Sequence, residues 1–464
     1  MTKTKYYFSA TTTHNLSDSR QAWEAHWTNA FSDIDLDFLS QTAHVTAIRI
    51  PIGYFTLPGF CASTPFAPFT SIYENAWPAI LTLCKRLQNV GIGVLLDLHA
   101  LPGGANDQNH SGTSTHKAEL WGNKKNLDFA KRCLLFLASE VAQGRIENCV
   151  GIQLCNEAAW SAREAGLYAW YADVAASISE IDASIPLYIS DAWDLPSALE
   201  WCGHWNRALA PKHKEKRRNP VIAASSKYYC FTPSDHSKSP EELTQHISAN
   251  ELHDLAASAE SVFNKGAREV AVTEYSCALD PASWAKSQGD RDSTLRRFGQ
   301  AQVSKWQRAC GAFFWTACSE GMRGSEWDFN AMVEKGVILA PGYLSLSFDD
   351  VCAKVASATA VKEERKNANC AAHVSYWNRV APGGDSLHVQ YGRGWEVGWG
   401  DARAFFAMRA EGGMLGTTEG ADRIGALECW ILKRLREGGV AGGEVWEWEH
   451  GLRSGVGAFE RAVL

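Results

Sequence analysis

Short runs of β-branched and other apolar residues alternate with stretches in which apolar residues recur every three or four positions. Residues 45–54, 93–99, 149–157, 186–193, 221–231, 269–276 and 311–317 read as strands. Residues 74–90, 125–142, 164–181, 196–209, 240–265 and 293–310 read as the helices between them. In the first of these, Trp77, Ile80, Leu81, Cys84 and Leu87 share one face. A crossover helix returns the chain to the same end of the sheet, so this order implies parallel strands. The expected fold is α/β, a TIM-type (β/α)8 barrel whose first strand is atypical or missing. The sole upstream candidate, residues 6–12, is weak.

From about Pro341 the alternation stops and glycine becomes frequent. Residues 401–410 and 425–437 read as helices. Residues 444–463 do so less clearly, because Gly451, Gly455 and Gly457 interrupt them. The expected division is a catalytic barrel over 1–341 and a partly helical extension over 342–464, packed on the barrel.

Composition narrows the function. A net charge of −7 without long acidic or basic blocks argues against nucleic acid as a partner. The one basic run, residues 212–218, reads as a solvated loop. No apolar stretch is long enough for an integral membrane segment, and the N-terminus shows no signal-peptide pattern. Thirteen scattered cysteines, with no C-x-x-C pair, suit reduced thiols in the cytoplasm. No strand–GxGxxG–helix, Walker or HExxH pattern is present, so neither a cofactor nor a metal is expected. The 19 tryptophans fill a core or wall a sugar site; their number alone does not choose between the two.

The strand ends carry the candidate chemistry. Arg49, His99, Asn156, Glu157, Trp193, Tyr228, Glu274 and Trp315 stand at or near them. In a barrel, the C-terminal ends of all strands meet at one face, where active sites sit. Glu157 and Glu274 close two strongly apolar strands, where a carboxylate is costly without a partner or a task. Either one alone reads more readily as a helix cap or an ion-pair partner. Together, beside an asparagine and aromatic residues, they suit glycosidic cleavage, which needs one protonated and one ionised carboxyl. A neighbouring arginine favours the ionised one, and Arg49 suits that role.

At this point the motifs resemble glycoside hydrolase family five, in its fungal exo-β-1,3-glucanase and β-glucosidase-like branch. The resembling segments are RIPIGYF from Arg49, LDLHALPGGAN from Leu96, NE at 156–157, TEYS at 273–276 and FFWTACSEGMRGSEWDF from Phe313. The resemblance spans roughly residues 20–330. It implies Glu157 as acid/base and Glu274 as nucleophile. It also implies Asn156 on the sugar 2-hydroxyl, Arg49 and Tyr228 on the nucleophile, His99 on the bound sugar and Trp315 beneath it. Trp193 and Trp121 read as sugar platforms or core, and Phe55 as an outer subsite wall or packing.

Two features depart from the family pattern. The G-x-N-x-G-x-W segment of the first strand is not found. Ser226 stands where the family has histidine two residues before its tyrosine, here Tyr228. Placed beside the nucleophile, Ser226 is expected to affect the acid limb of the pH profile. The leading expectation is a retaining hydrolase of β-glucosides, whether small glucosides, glucolipids or oligosaccharides. The alternative is a catalytically weakened sugar-binding protein on the same barrel.

Overall fold

The computed structural model describes residues 15–29, 31–207, 218–255, 260–317, 320–380, 388–411, 419–440 and 442–464. The chain divides into two compact units. The first comprises residues 1–202, 217–256 and 268–339; the second comprises 203–216, 257–267 and 340–464.

All seven expected strands are present: β1 (Ala47–Gly53), β2 (Gly93–Ala100), β3 (Cys149–Gln153), β4 (Leu187–Ser190), β5 (Val221–Tyr229), β6 (Val270–Leu279) and β7 (Ala312–Phe314). They form one sheet in sequential order, and every pair is parallel. The crossovers carry the helices Ala76–Asn89, Lys124–Ala142, Leu167–Ser179, Leu195–Asn206, Pro240–Asn250 and Arg291–Trp306. The expected helix over 240–265 ends at Asn250, followed by a short turn at His253–Leu255 and a helix at Val262–Lys265. The upstream strand candidate, residues 6–12, and most of the basic run, 212–217, lie outside the described residues.

Alternation along β2 shows how the sheet becomes a site. Leu95 belongs to an inner apolar layer with Tyr188, Ile222, Ala224 and Ala271. Side chains two apart share a face. Asp97 and His99 therefore continue that face toward the C-terminal end, and both are buried. Burial of charge there is tolerable only with partners, and those come from the neighbouring strands.

A register shift on β5 and β6 completes the placement. Ala224 pairs with Ala271, but one step after Ser225↔Val272 the pairing becomes Ser226↔Glu274. The extra residue changes which side chains share the inner face. Glu274 thereby lies opposite Ser226, two residues along from the inward Ala224.

The second unit is helical: Phe348–Ala360, Lys362–Val380, Val389–Ala407, Leu427–Glu437 and Val445–Val463. Its core is Tyr391, Trp395, Trp399, Phe406, Trp448, Leu452 and Phe459 with smaller residues. The sequence reading shortened the third of these helices and had no helix at the first two. It also took the glycines of the last helix as interruptions. They are instead packing positions. A side chain at Gly394 or Gly398 would collide with the carbonyls of Trp448 and Leu452. One at Gly451 or Gly455 would collide with those of Tyr391 and Trp395. The two helices touch backbone to backbone there, and the contact compensates the lower helix propensity of glycine.

Candidate active site

Arg49 is the hub. Its guanidinium is buried and meets four acceptors: Gln153 Oε1 at 2.8 Å, Glu274 Oε1 at 2.8 Å, Asn156 Oδ1 at 2.7 Å and Asp97 Oδ2 at 2.9 Å. Burial works against its charge, but Asp97 and Glu274 outweigh that and hold its pKa up. Arg49 stands on β1, and its partners come from β2, β3, the turn after β3, and β6. Each strand delivers one polar group to the same point.

Glu274 is 5% exposed, so desolvation alone would make it a neutral acid. Against that stand the Arg49 charge, His99, and hydrogen bonds from Tyr228 and Arg49, and the net shift is downward. The Tyr228 hydroxyl donates to Glu274 Oε2 at 2.7 Å. Glu274 is thus held as a carboxylate.

Glu157 is driven the other way. Burial raises its pKa and the nearby Glu274 charge raises it further, so it keeps its proton well above the ordinary carboxyl range. Its backbone φ is +41°, in the left-handed region that non-glycine residues rarely occupy. Asn106 Nδ2 holds the Glu157 carbonyl at 2.9 Å, and Ser190 Oγ accepts the next amide, Ala158 N, at 2.9 Å. The expected strand over 149–157 ends at Gln153 because the chain turns here to present Glu157.

Two neighbouring carboxyls with opposed protonation have the chemistry that glycosidic cleavage requires. Gln153, Asn156, Glu157, Asp191, Trp193 and Ser226 share one cavity at this end of the strands.

His99 stacks its ring on Trp315, with centroids 5.8 Å apart and planes at 10°. Its Nδ1 meets Asp97 Oδ2 at 2.8 Å. Trp193 is 53% exposed, has φ +63°, and lines the cavity. Trp121 and Phe55 are engaged elsewhere. The Trp121 indole donates to the Ala105 carbonyl at 2.7 Å and packs edge-on against Trp170. Phe55 stacks on Phe66 at 4.1 Å and packs on Tyr73.

Ser226 corrects an expectation. It pairs with Glu274 across the sheet, yet its hydroxyl also lies near enough to Glu157 to pull that carboxyl's pKa down. Ser226→Ala therefore removes a donor that favours ionised Glu157. The basic limb of the kcat/KM–pH profile is expected to rise by roughly half to one unit, as befits one hydrogen bond. The acid limb should stay fixed. Movement of the acid limb instead would put the serine on Glu274.

Asp97, Gln153, Asp191 and His110 belong to the site and were not singled out as site residues. Asp97 was legible, being two residues before His99 on one strand face. Asp191 is buried, accepts from Ser225 Oγ at 2.6 Å, and adds to the upward push on Glu157. His110 sits in a loop, where periodicity says nothing. Among the described residues one group of possible metal ligands converges, His373, His388 and Glu447, in the second unit. There both imidazoles face Glu447 Oε1, at 3.4 and 2.6 Å, as hydrogen-bond partners.

A parallel β/α sheet with this carboxyl pair at its C-terminal edge defines the chain as a glycoside hydrolase. Comparison with known proteins narrows that class. Residues 358–463 match the family described as the glucan 1,3-beta-glucosidase 3 C-terminal domain. Glucan 1,3-beta-glucosidase 3 of Schizosaccharomyces pombe is 27% identical over 452 residues, covering 95% of this chain and 85% of that protein. An uncharacterized glycosyl hydrolase of Saccharomyces cerevisiae is 28% identical over 460 residues, covering 97% and 82%. The rutinosidase from Aspergillus niger shares the fold, with a TM-score of 0.50 and 16% identity over 66% of this chain and 82% of that one. The sequence likeness thus runs along nearly the whole chain to glucan 1,3-beta-glucosidase 3 of Schizosaccharomyces pombe, and the fold is shared with a glycoside hydrolase of solved structure.

Proposed function

We propose that the protein is a retaining β-glucosidase working by double displacement. The observation that carries this reading is the opposed protonation of two converging glutamates: Glu157 held as the acid, Glu274 held as the anion. Glu274 attacks the anomeric carbon while Glu157 protonates the departing oxygen, leaving a glycosyl ester on Glu274. Water then attacks that ester, with Glu157 as base, and releases glucose. Tyr228 and Arg49 orient the nucleophile. Asn156, next in sequence to Glu157 and bonded to Arg49, would meet the 2-hydroxyl.

The substrate class follows from the surroundings. Trp193 in the cavity lining, and Phe231 with Trp327 beside Tyr228, offer apolar faces to a sugar ring or an apolar aglycone. Phe231 is 64% exposed, more than packing requires. Among the described residues twelve cysteines are free, which supports a reducing compartment such as the cytoplasm. A small glucoside, a glucolipid or a short oligosaccharide, β-1,3-linked glucose included, suits such a location better than wall polymer.

The test is a panel of β-glucosides with purified protein, products being identified by mass. Release of glucose from nitrophenyl β-glucoside and from one natural class is the expected outcome. Binding of glucose analogues without any turnover would support the sugar-binding alternative instead.

A further inference from the structure

His110 lies in the turn Asn109–Ser111, on the loop after β2. Its Nδ1 is 3.2 Å from His99 Nε2, and its Nε2 is 3.8 Å from Glu157 Oε2. The positions of the hydrogens along this row follow from its far end. Asp97 Oδ2, paired with Arg49, is an acceptor, so the His99 nitrogen 2.8 Å away, Nδ1, carries a proton. Arg49 Nη2 donates to Asn156 Oδ1, which fixes that amide and turns its Nδ2 toward His99 Nε2, at 3.5 Å. A donor facing it marks His99 Nε2 as a bare acceptor. His110 Nδ1 therefore supplies a hydrogen to it, and a neutral imidazole then has no proton left for Nε2.

We infer that His110 is a positioning residue for the acid/base, its bare Nε2 accepting the hydrogen bond of the protonated Glu157 carboxyl. The inference rests on the reading of Glu157 as the acid. The 3.8 Å separation closes with a small side-chain rotation, and such contacts tighten when substrate binds. Burial holds the His110 pKa down to about 4, so the ring is neutral at working pH.

The other groups facing Glu157 are split. Glu274 and Asp191 favour its acid form, while Ser226 and Arg49 favour its anion. His110 joins the first set. Once Glu157 has given its proton to the leaving oxygen, its carboxylate faces a lone pair. That repulsion favours taking a proton from the attacking water in the second step.

The test is the tautomer of His110 in the full chain, read from imidazole 15N shifts near pH 7 and assigned by loss of the signals in His110→Gln. Protonated Nδ1 with bare Nε2 is the expected state. Protonated Nε2, or an imidazolium, would overturn the inference. This readout needs no turnover, so its failure is separate from failure of the proposed activity. In the pH profile, His110→Leu should lower the basic limb by roughly half to one unit. His110→Gln, whose amide can accept from Glu157 and donate to His99, should keep the wild-type limb. A folded His110→Leu protein with an unchanged basic limb would also overturn it.

Discussion

Glu274→Ala is expected to reduce turnover to background for every β-glucoside, whether its leaving group is an activated phenol or an alkyl alcohol. Without the carboxylate no glycosyl ester forms, and leaving-group quality cannot compensate. Glu157→Ala should behave differently. For an alkyl glucoside the departing oxygen needs a proton, and loss of the acid should cost about 10² to 10⁴ in kcat/KM. A nitrophenolate departs without that proton, so its first step should suffer little. Its second step still lacks a base, so the ester should accumulate and appear as a burst of nitrophenol. Equal losses for both substrates in Glu157→Ala would contradict the assignment of the acid. A surviving Glu274→Ala enzyme would contradict that of the nucleophile.

Arg49→Gln is expected to give the largest loss of stability in the first unit. The Arg49 side chain is 3% exposed and neutralises two buried carboxylates, Asp97 and Glu274. Removing one partner of a buried pair leaves uncompensated charge, with a typical cost of about 3–5 kcal/mol. The sign of the pH dependence follows from Glu274, whose folded pKa is depressed. A depressed carboxyl contributes stability above its unfolded pKa and loses it as pH falls through the folded value. The difference between wild type and Arg49→Gln should therefore be greatest near neutrality and shrink in acid. In the variant, Glu274 loses its main ionising influence, so the acid limb of kcat/KM should move to higher pH. Thermal melts across pH 4 to 8, paired with the rate profile, check both. A constant stability difference across that range would separate Arg49 from the titration of Glu274.

The strands were legible because each is a compact apolar run, and so were the residues that end them. Arg49, His99, Asn156, Glu157, Tyr228 and Glu274 stand where strands meet the site, and polarity at the end of an apolar run is visible in one dimension. What the one-dimensional pattern hides is direction. The shift that sets Ser226 opposite Glu274, and the turn that points Glu157 at Ser226, both depend on backbone geometry. The sequence therefore points Ser226 at Glu274, which it does oppose, and hides its effect on Glu157. His110 comes from a loop, where no periodicity marks which side chain turns inward. The helices of the second unit were hidden for another reason. Glycines at 394, 398, 451 and 455 lower local propensity, and their value lies in a contact between helices some fifty residues apart in sequence.

The central claim is that Glu274 attacks the sugar while Glu157 protonates from the other side, in two successive inversions. The anomeric configuration of the first glucose released tests it most directly. Proton NMR of an aryl β-glucoside mixed with enzyme, followed before mutarotation, should show the β-anomer appearing first and the α-anomer growing only later. The α-anomer as the first product would mean a single displacement by water, and the two glutamates would then have to be an acid and a base with no covalent step between them.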